Sequence, residues 1–246
     1  MIVRASGQNL TYSIVHDLGV AIVTGTYSDK NPFPVEAELC RKYGASRSIL
    51  REAVKMLTAK GLLSARPRQG TWVEPESNWN LLDPDILGWL LERKFSPALL
   101  IEFTEIRLAV EPGASALAAR VAGPQEKASV RAAIERMQAA ERDEDDPLES
   151  DIAFHVAVLR ATKNRFYAQL SELTTTALRF SIRTTNRYKG VQLASVADHK
   201  KVADAIIAGK PTVAAEAMRK LIQEALDLIT AREERHASPR QATTAR

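Results

Sequence analysis

Asp151 and His155 stand four residues apart in a stretch of helical periodicity, so a carboxylate and an imidazole project from one helix face about a turn apart. Such a pair can close on one divalent ion, and the same spacing also makes an ordinary hydrogen bond on a helix surface. Arg107 and Glu111 repeat the spacing upstream. A guanidinium there can hold an incoming carboxylate bidentately or pair with its own helix neighbour. A third group, Ser46, Arg47, Ser48 and Arg51, lies in a basic segment near the N-terminus. Arg47 can fork onto O6 and N7 of a guanine, the serine hydroxyls can bond phosphates, and Arg51 follows one turn on. The chain has no HExxH, no GxSxG and no glycine-rich phosphate loop, so hydrolytic chemistry lacks its usual companions.

The charge distribution separates these groups into two regions. Between Arg41 and Arg68, eight basic residues face one acid, Glu52, a local excess larger than the +4 of the whole 246-residue chain. The remainder is therefore net acidic, as the run from Glu141 to Asp151 shows. A basic block joined to an acidic body is the pattern of a nucleic-acid-binding module fused to something else. Apolar residues make up 45%, enough for real cores, and no apolar run approaches the roughly 20 residues that span a bilayer. The start, MIVRASGQNL, lacks the pattern of a secretory signal, and the single cysteine, Cys40, excludes an internal disulfide and a cysteine-rich zinc module. The expectation is a cytoplasmic protein with no membrane contact.

The elements that must position these residues follow from apolar spacing and turn residues. Leu10, Ile14, Leu18, Ala21 and Ile22 predict a helix closed at Gly25. After the turn Asn31–Pro34, a short helix over Val35 to Tyr43 ends at Gly44. Ser46 caps a third helix with Ile49, Leu50, Ala53, Val54 and Leu57 as its buried stripe. Leu62 to Glu74, with Pro67 and Gly70, suits a two-stranded hairpin. Three helices and a hairpin in this order describe a winged helix-turn-helix, whose later helix enters the major groove. The DNA-contact candidates are thus Ser46, Arg47, Ser48 and Arg51, with Gly70 at the wing. Beyond Asp83 strand signals fade and helical stripes recur, with Pro84, Pro97, Pro124, Pro147 and Pro211 at expected helix starts. The fold class is mainly α: a winged helix-turn-helix over 8–76, a linker and connecting helix over 77–96, and an all-α domain over 97–235. About seven helices are expected from Ile86 onward, one of them continuous over Arg165 to Arg187, followed by a disordered tail at 236–246. Cys40 reads as a small packing residue, His16 and His236 as surface residues, Trp72 as a hairpin packer, and Trp79 and Trp89 as anchors of the linker.

The stretch FPVEAELCRKYGASRSILREAVKMLTAKGLLSARPRQGTWV resembles the DNA-binding domain of the GntR superfamily of bacterial repressors. EIRLAVEP at Glu105 to Pro112, DIAFH at Asp151 to His155 and ADHKKVADAIIAGK at Ala197 to Lys210 resemble the FCD ligand domain of its FadR-type branch. Trp79 to Glu92 is similar to the linker of a subgroup of sugar-acid regulators, galactonate-type ones among them. The resemblance implies a homodimeric repressor on a palindromic operator in double-stranded DNA, released by a small carboxylate such as a sugar acid. It makes Asp151 and His155 metal ligands and adds His199, with zinc as the default ion and nickel or manganese as alternatives. It has Arg107 hold the effector carboxylate, and leaves Arg179, Arg183 and Asn186 as further cavity residues or a solvated face.

The chain departs from the family in four places. Ala37 stands where many relatives carry an arginine, Asn31 replaces a turn glycine and Phe33 a leucine. Leu221 occupies the position of the usual fourth metal ligand, a histidine, so three protein ligands remain. A metal-dependent enzyme acting on sugar acids is the alternative from another class, and a small-molecule binding protein without DNA function is a third.

Overall fold

The structure is a computed structural model that describes residues 7–28, 30–66, 69–94, 96–185 and 195–237, with side chains omitted at 7–9, 182–185 and 232–237. The chain divides into two compact units, 1–94 and 95–246. Among the described residues no helix is long and apolar enough to cross a membrane.

In the first unit, helix α1 (Gly7–Val23) places Ile14, Val15, Leu18 and Ile22 on one fully buried face. Helix α2 (Glu36–Tyr43) ends on Gly44, whose φ of 58° is left-handed and open to glycine at no steric cost. Helix α3 (Arg47–Ala59) starts at Ser46, which accepts a hydrogen bond from the Ile49 amide, and buries Leu50, Ala53 and Leu57. Ile49 and Val54, expected in that stripe, are half-buried. Strands β1 (Leu63–Arg66) and β2 (Gly70–Val73) pair antiparallel, with Leu63 opposite Val73 and Arg66 opposite Gly70. Tyr43 donates to the Asp17 carboxylate and ties α2 to α1.

The connecting segment is packed onto this unit. Helix α4 (Pro84–Leu90) lies against α1, burying Ile86, Leu87, Trp89 and Leu90. The Trp89 ring sits so close to Gly19 that any side chain there would overlap it. Lys60 bridges Asp83 and Asp85 at 2.8 and 2.7 Å. Arg93 grips Glu76 with both terminal nitrogens and donates from Nε to the Val23 carbonyl. Trp79 donates to the Glu74 carbonyl under the Arg93 guanidinium. His16, on the surface as expected, meets Trp89 edge-on. Trp72 is half-buried beneath the Arg66 guanidinium, and Cys40 is a half-buried free thiol.

The second unit is helical throughout its described residues: α5 (Pro97–Val121), α6 (Pro124–Ala140), α7 (Pro147–Ala161), α8 (Arg165–Gln169), α9 (Ser171–Thr185), α10 (Val196–Ile207) and α11 (Pro211–Ala237). Proline opens α4, α5, α6, α7 and α11, where its missing amide costs no helix bond. Ser96 and Asp146 cap α5 and α7. The continuous helix expected over 165–187 is broken instead. Leu170 closes a tight turn on the Tyr167 carbonyl, and the Ser171 hydroxyl takes the Ala168 carbonyl, so α8 stops and α9 restarts. No residue of α8 is buried, whereas α9 buries Leu173, Ala177, Leu178 and Phe180. α5 packs along α11 and α6 against α7. Their core joins Val130, Ile134, Phe154, Val158, Val202, Ile206, Met218 and Leu221. The helix α11 reaches Ala237, two residues into the expected tail; residues 238–246 of that tail lie outside the described residues.

Candidate metal centre and nucleic-acid surface

Three helices of the second unit bring five polar side chains into its interior. α7 carries Asp151 and His155 one turn apart, α10 carries His199 in its first turn, and α5 carries Arg107 and Glu111 one turn apart. All five are buried, His199 completely. Asp151 Oδ1 lies 2.9 Å from His199 Nε2 and 3.5 Å from His155 Nε2, and the two imidazole nitrogens are 3.4 Å apart. Three ligand atoms on one tetrahedral ion with bonds of about 2.0–2.1 Å would be about 3.3 Å apart, which matches this triangle.

The surroundings explain why these atoms converge. His155 Nδ1 is 2.5 Å from Glu111 Oε2, and His199 Nδ1 is 3.1 Å from the Ser195 carbonyl. Each outer nitrogen thus faces an acceptor, which makes it the protonated one and leaves an Nε2 lone pair aimed inward. Asp151 Oδ1 adds a third acceptor, and no hydrogen-bond donor is directed at it. Three acceptors meeting at one buried point are costly unless a cation sits among them. The residues therefore fit a divalent ion, with Asp151, His155 and His199 as its holders.

Charge is distributed accordingly. Burial pushes the Asp151 carboxyl up, but the two imidazoles beside it, when protonated, outweigh burial and hold it well below the usual carboxylate range. Burial acts on Glu111 in the same way and is overcome by Arg107 and His155, which bring it down to about 2. For His155, burial and the Arg107 guanidinium oppose the charged form, and the Glu111 and Asp151 carboxylates together outweigh them, so its pKa is raised.

Arg107 joins the two readings of its spacing. Its Nε donates to Glu111 Oε1 at 2.7 Å, the helix pair open from the sequence, and it is nonetheless buried against the centre. Its Nη2 faces the edge of the His155 ring, 3.1 Å from Nε2 and 3.3 Å from Nδ1. Leu221 is buried among apolar residues of α10 and α11 and offers no ligand atom. Arg179 forms a half-exposed pair with Glu149 at 2.7 Å, the solvated alternative for that residue. The Arg183 side chain and Asn186 lie outside the described residues. Glu111, which the sequence suggested only as a salt-bridge partner, is the central acceptor of the cluster; the i,i+4 step from Arg107 was its one signal.

In the first unit, Ser46, Arg47, Ser48 and Arg51 are all exposed at the N-terminal end of α3. The Ser46 hydroxyl caps the helix and lies 2.9 Å from that of Ser48. Glu36, at the start of α2, faces both arginines. It accepts from Arg51 Nε at 2.9 Å and lies 3.7 Å from Arg47 Nε. This acid, just outside the basic block, was absent from the charge reading. Gly70 is exposed at the start of β2, with φ of 92° and open space around its missing Cβ.

A winged helix-turn-helix followed by a helical domain with a buried polar centre defines a DNA-binding protein with an internal ligand site. Residues 10–73 match the family described as bacterial regulatory proteins, gntR family, and residues 102–224 match the FCD domain. The chain is 39% identical to the galactonate operon transcriptional repressor of Escherichia coli K12 over 163 residues, 66% of this chain and 71% of the relative. It is 35% identical to the HTH-type transcriptional regulator YieP of the same organism over 171 residues, 69% and 74% of the two chains. The solved structure of E. coli McbR/YncC shares the fold with a TM-score of 0.51 at 18% identity, covering 95% of this chain and 100% of that one. The chain belongs to the GntR family with an FCD domain. It is a ligand-responsive, DNA-binding transcriptional regulator and not an enzyme.

Proposed function

We propose that the protein represses a sugar-acid catabolic operon and leaves its operator when a small carboxylate binds in the helical domain. The observation that carries this reading is the buried set Asp151, His155 and His199 with Arg107 against it. With both imidazoles neutral, as metal ligation would require, the two carboxylates and the one guanidinium leave a net charge of −1 in the interior. Buried charge is tolerated only when compensated. Asp151, His155 and His199 would hold a divalent ion, zinc by default with nickel or manganese as alternatives, which would supply two positive charges there. The interior would then stand at +1, a charge that one carboxylate group of an effector, gripped by Arg107, would neutralise. The name of the 39% identical relative, a galactonate operon repressor, favours a sugar acid.

On the DNA side, the proposed division of labour is a head over 8–76, a connecting segment over 77–96 and a sensor over 97–235. Arg47 and Arg51 reach base edges or phosphates, Ser46 and Ser48 contact phosphates, and Gly70 lets the wing approach the backbone. Two heads of a homodimer read a palindromic operator in the cytoplasm, since two-fold sites mirror two-fold proteins. A thermal-shift screen of sugar acids and other small carboxylates, run with and without chelator, tests the reading. A sugar acid should stabilise the metal-loaded protein, release it from operator DNA in a gel shift, and do neither in Arg107→Ala. Stabilisation solely by uncharged sugars would overturn it.

A further inference from the structure

Glu111 is the most enclosed carboxylate in the cluster, and its two oxygens serve different partners. Oε1 accepts from Arg107 Nε at 2.7 Å and from the Thr174 hydroxyl at 3.3 Å. Oε2 accepts from His155 Nδ1 at 2.5 Å. Its helix fixes it in place: Arg107 is one turn earlier on α5, and the Ser115 hydroxyl bonds the Glu111 carbonyl one turn later. One side chain on α5 thereby touches the anion-gripping residue of its own helix, a metal-ligand candidate on α7 and a hydroxyl on α9.

We propose that Glu111 is a positioning residue that couples the metal centre to the effector clamp, holding the inward-facing tautomer of His155 with one oxygen and the direction of the Arg107 guanidinium with the other. This rests on the metal-and-carboxylate reading above. The coupling follows from valence. A carboxylate accepts at both oxygens, so it serves both donors at once; a carboxamide accepts at one and donates at the other. Glu111→Gln keeps the shape of the side chain and must break one link, because its NH2 group turns toward either Arg107 or His155. It also removes a negative charge beside the centre, which disfavours a divalent ion further.

The test is metal affinity of the full-length protein, measured by competition of Zn2+ alone against a chromophoric chelator, so that DNA release is not the readout. Outer partners of ligating histidines are worth about 10- to 100-fold in metal affinity, and Glu111→Gln should lose that much. The double variant Glu111→Gln with Arg107→Met separates positioning from a general loss of structure. Removing the guanidinium frees the glutamine oxygen for His155 and restores the original net charge, so zinc affinity should return to within several-fold of the wild type. Circular dichroism melts of the chelated proteins identify any variant that fails to fold, and in that case Arg107→Met alone, which leaves the Glu111 carboxylate on His155, should keep zinc affinity within several-fold of the wild type, and a 10-fold or greater loss overturns the coupling. Wild-type affinity in Glu111→Gln, or no recovery in the folded double variant, overturns the coupling. Absence of one tight zinc in the wild type overturns the underlying reading instead.

Discussion

Replacing Asp151 by Asn keeps the size of the side chain and removes its charge from the point where three acceptors meet. In the wild type, Oδ1 is buried, has no donor aimed at it and lies 2.9 Å from His199 Nε2 and 3.5 Å from His155 Nε2. An ion that binds the folded chain stabilises it by mass action: at about 100 times its dissociation constant the gain is about 2.7 kcal/mol. For a folding unit of this size, each kcal/mol moves the melting temperature by roughly 2–4 °C, so zinc should raise the melting point of the chelator-stripped wild type by about 5–10 °C. Asp151→Asn offers a neutral oxygen and lets an amide donate to an imidazole, so it should lose most of that rise. Its chelated form should melt close to the chelated wild type, because the new amide hydrogen bond offsets the lost ionic contact to within about 1 kcal/mol. Differential scanning fluorimetry with chelator and then graded zinc gives both numbers. A full zinc-dependent rise in the variant would show that Asp151 is no ligand. A large loss of stability in the chelated variant, with no zinc effect in either protein, would make the carboxylate a structural partner of the two histidines and refute the reasoning.

The remaining predictions concern pH and DNA. Because the Glu111 and Asp151 carboxylates together outweigh burial and raise the His155 pKa, a proton competes for that ring at higher pH than on a free imidazole, and the ion needs the bare nitrogen. Zinc affinity should therefore fall as pH drops, with the fall already evident above about pH 6.5, the ordinary histidine value; a flat profile from about pH 8 to 6 would contradict it. Arg47→Ala should cost about 1–3 kcal/mol of specific operator affinity and relax the sequence preference in footprints, with the melting temperature unchanged. Glu36→Gln releases Arg51 and Arg47 from their shared acid, so affinity for non-specific DNA should rise and its salt dependence steepen by up to about one unit; weaker binding would mean that Glu36 orients the arginines productively.

The head was legible because each of its boundaries is a local event. Gly25 and Gly44 end helices in left-handed conformations and Ser46 accepts the Ile49 amide, all decided within a few residues. The break at Leu170 was not legible for the converse reason. No glycine or proline marks it, and α8 and α9 are separated by only one tight turn. The connecting segment read as a linker from its composition. Its attachment to α1 depends on Trp89 filling the space that Gly19 leaves empty, a contact between residues 70 positions apart that no periodicity reveals.

The ligand set shows how far spacing can reach. Asp151 and His155 declare a shared helix face, whereas His199 is named by the family resemblance and not by spacing, and the fold brings it in by turning the first residues of α10 toward α7. Glu111 is hidden more deeply. By spacing it is the i,i+4 partner of Arg107, and at a surface that pair would contribute little. Burial changes its meaning, because an enclosed carboxylate must satisfy both oxygens, and the second finds the outer nitrogen of His155. The same step separates the two readings of Arg107. Salt bridge and effector clamp are alternatives on an exposed helix, whereas in this interior the salt bridge is what holds the guanidinium beside His155. A sequence states which side chains can meet across one turn; whether such a meeting is decoration or mechanism depends on how much water the fold leaves around it.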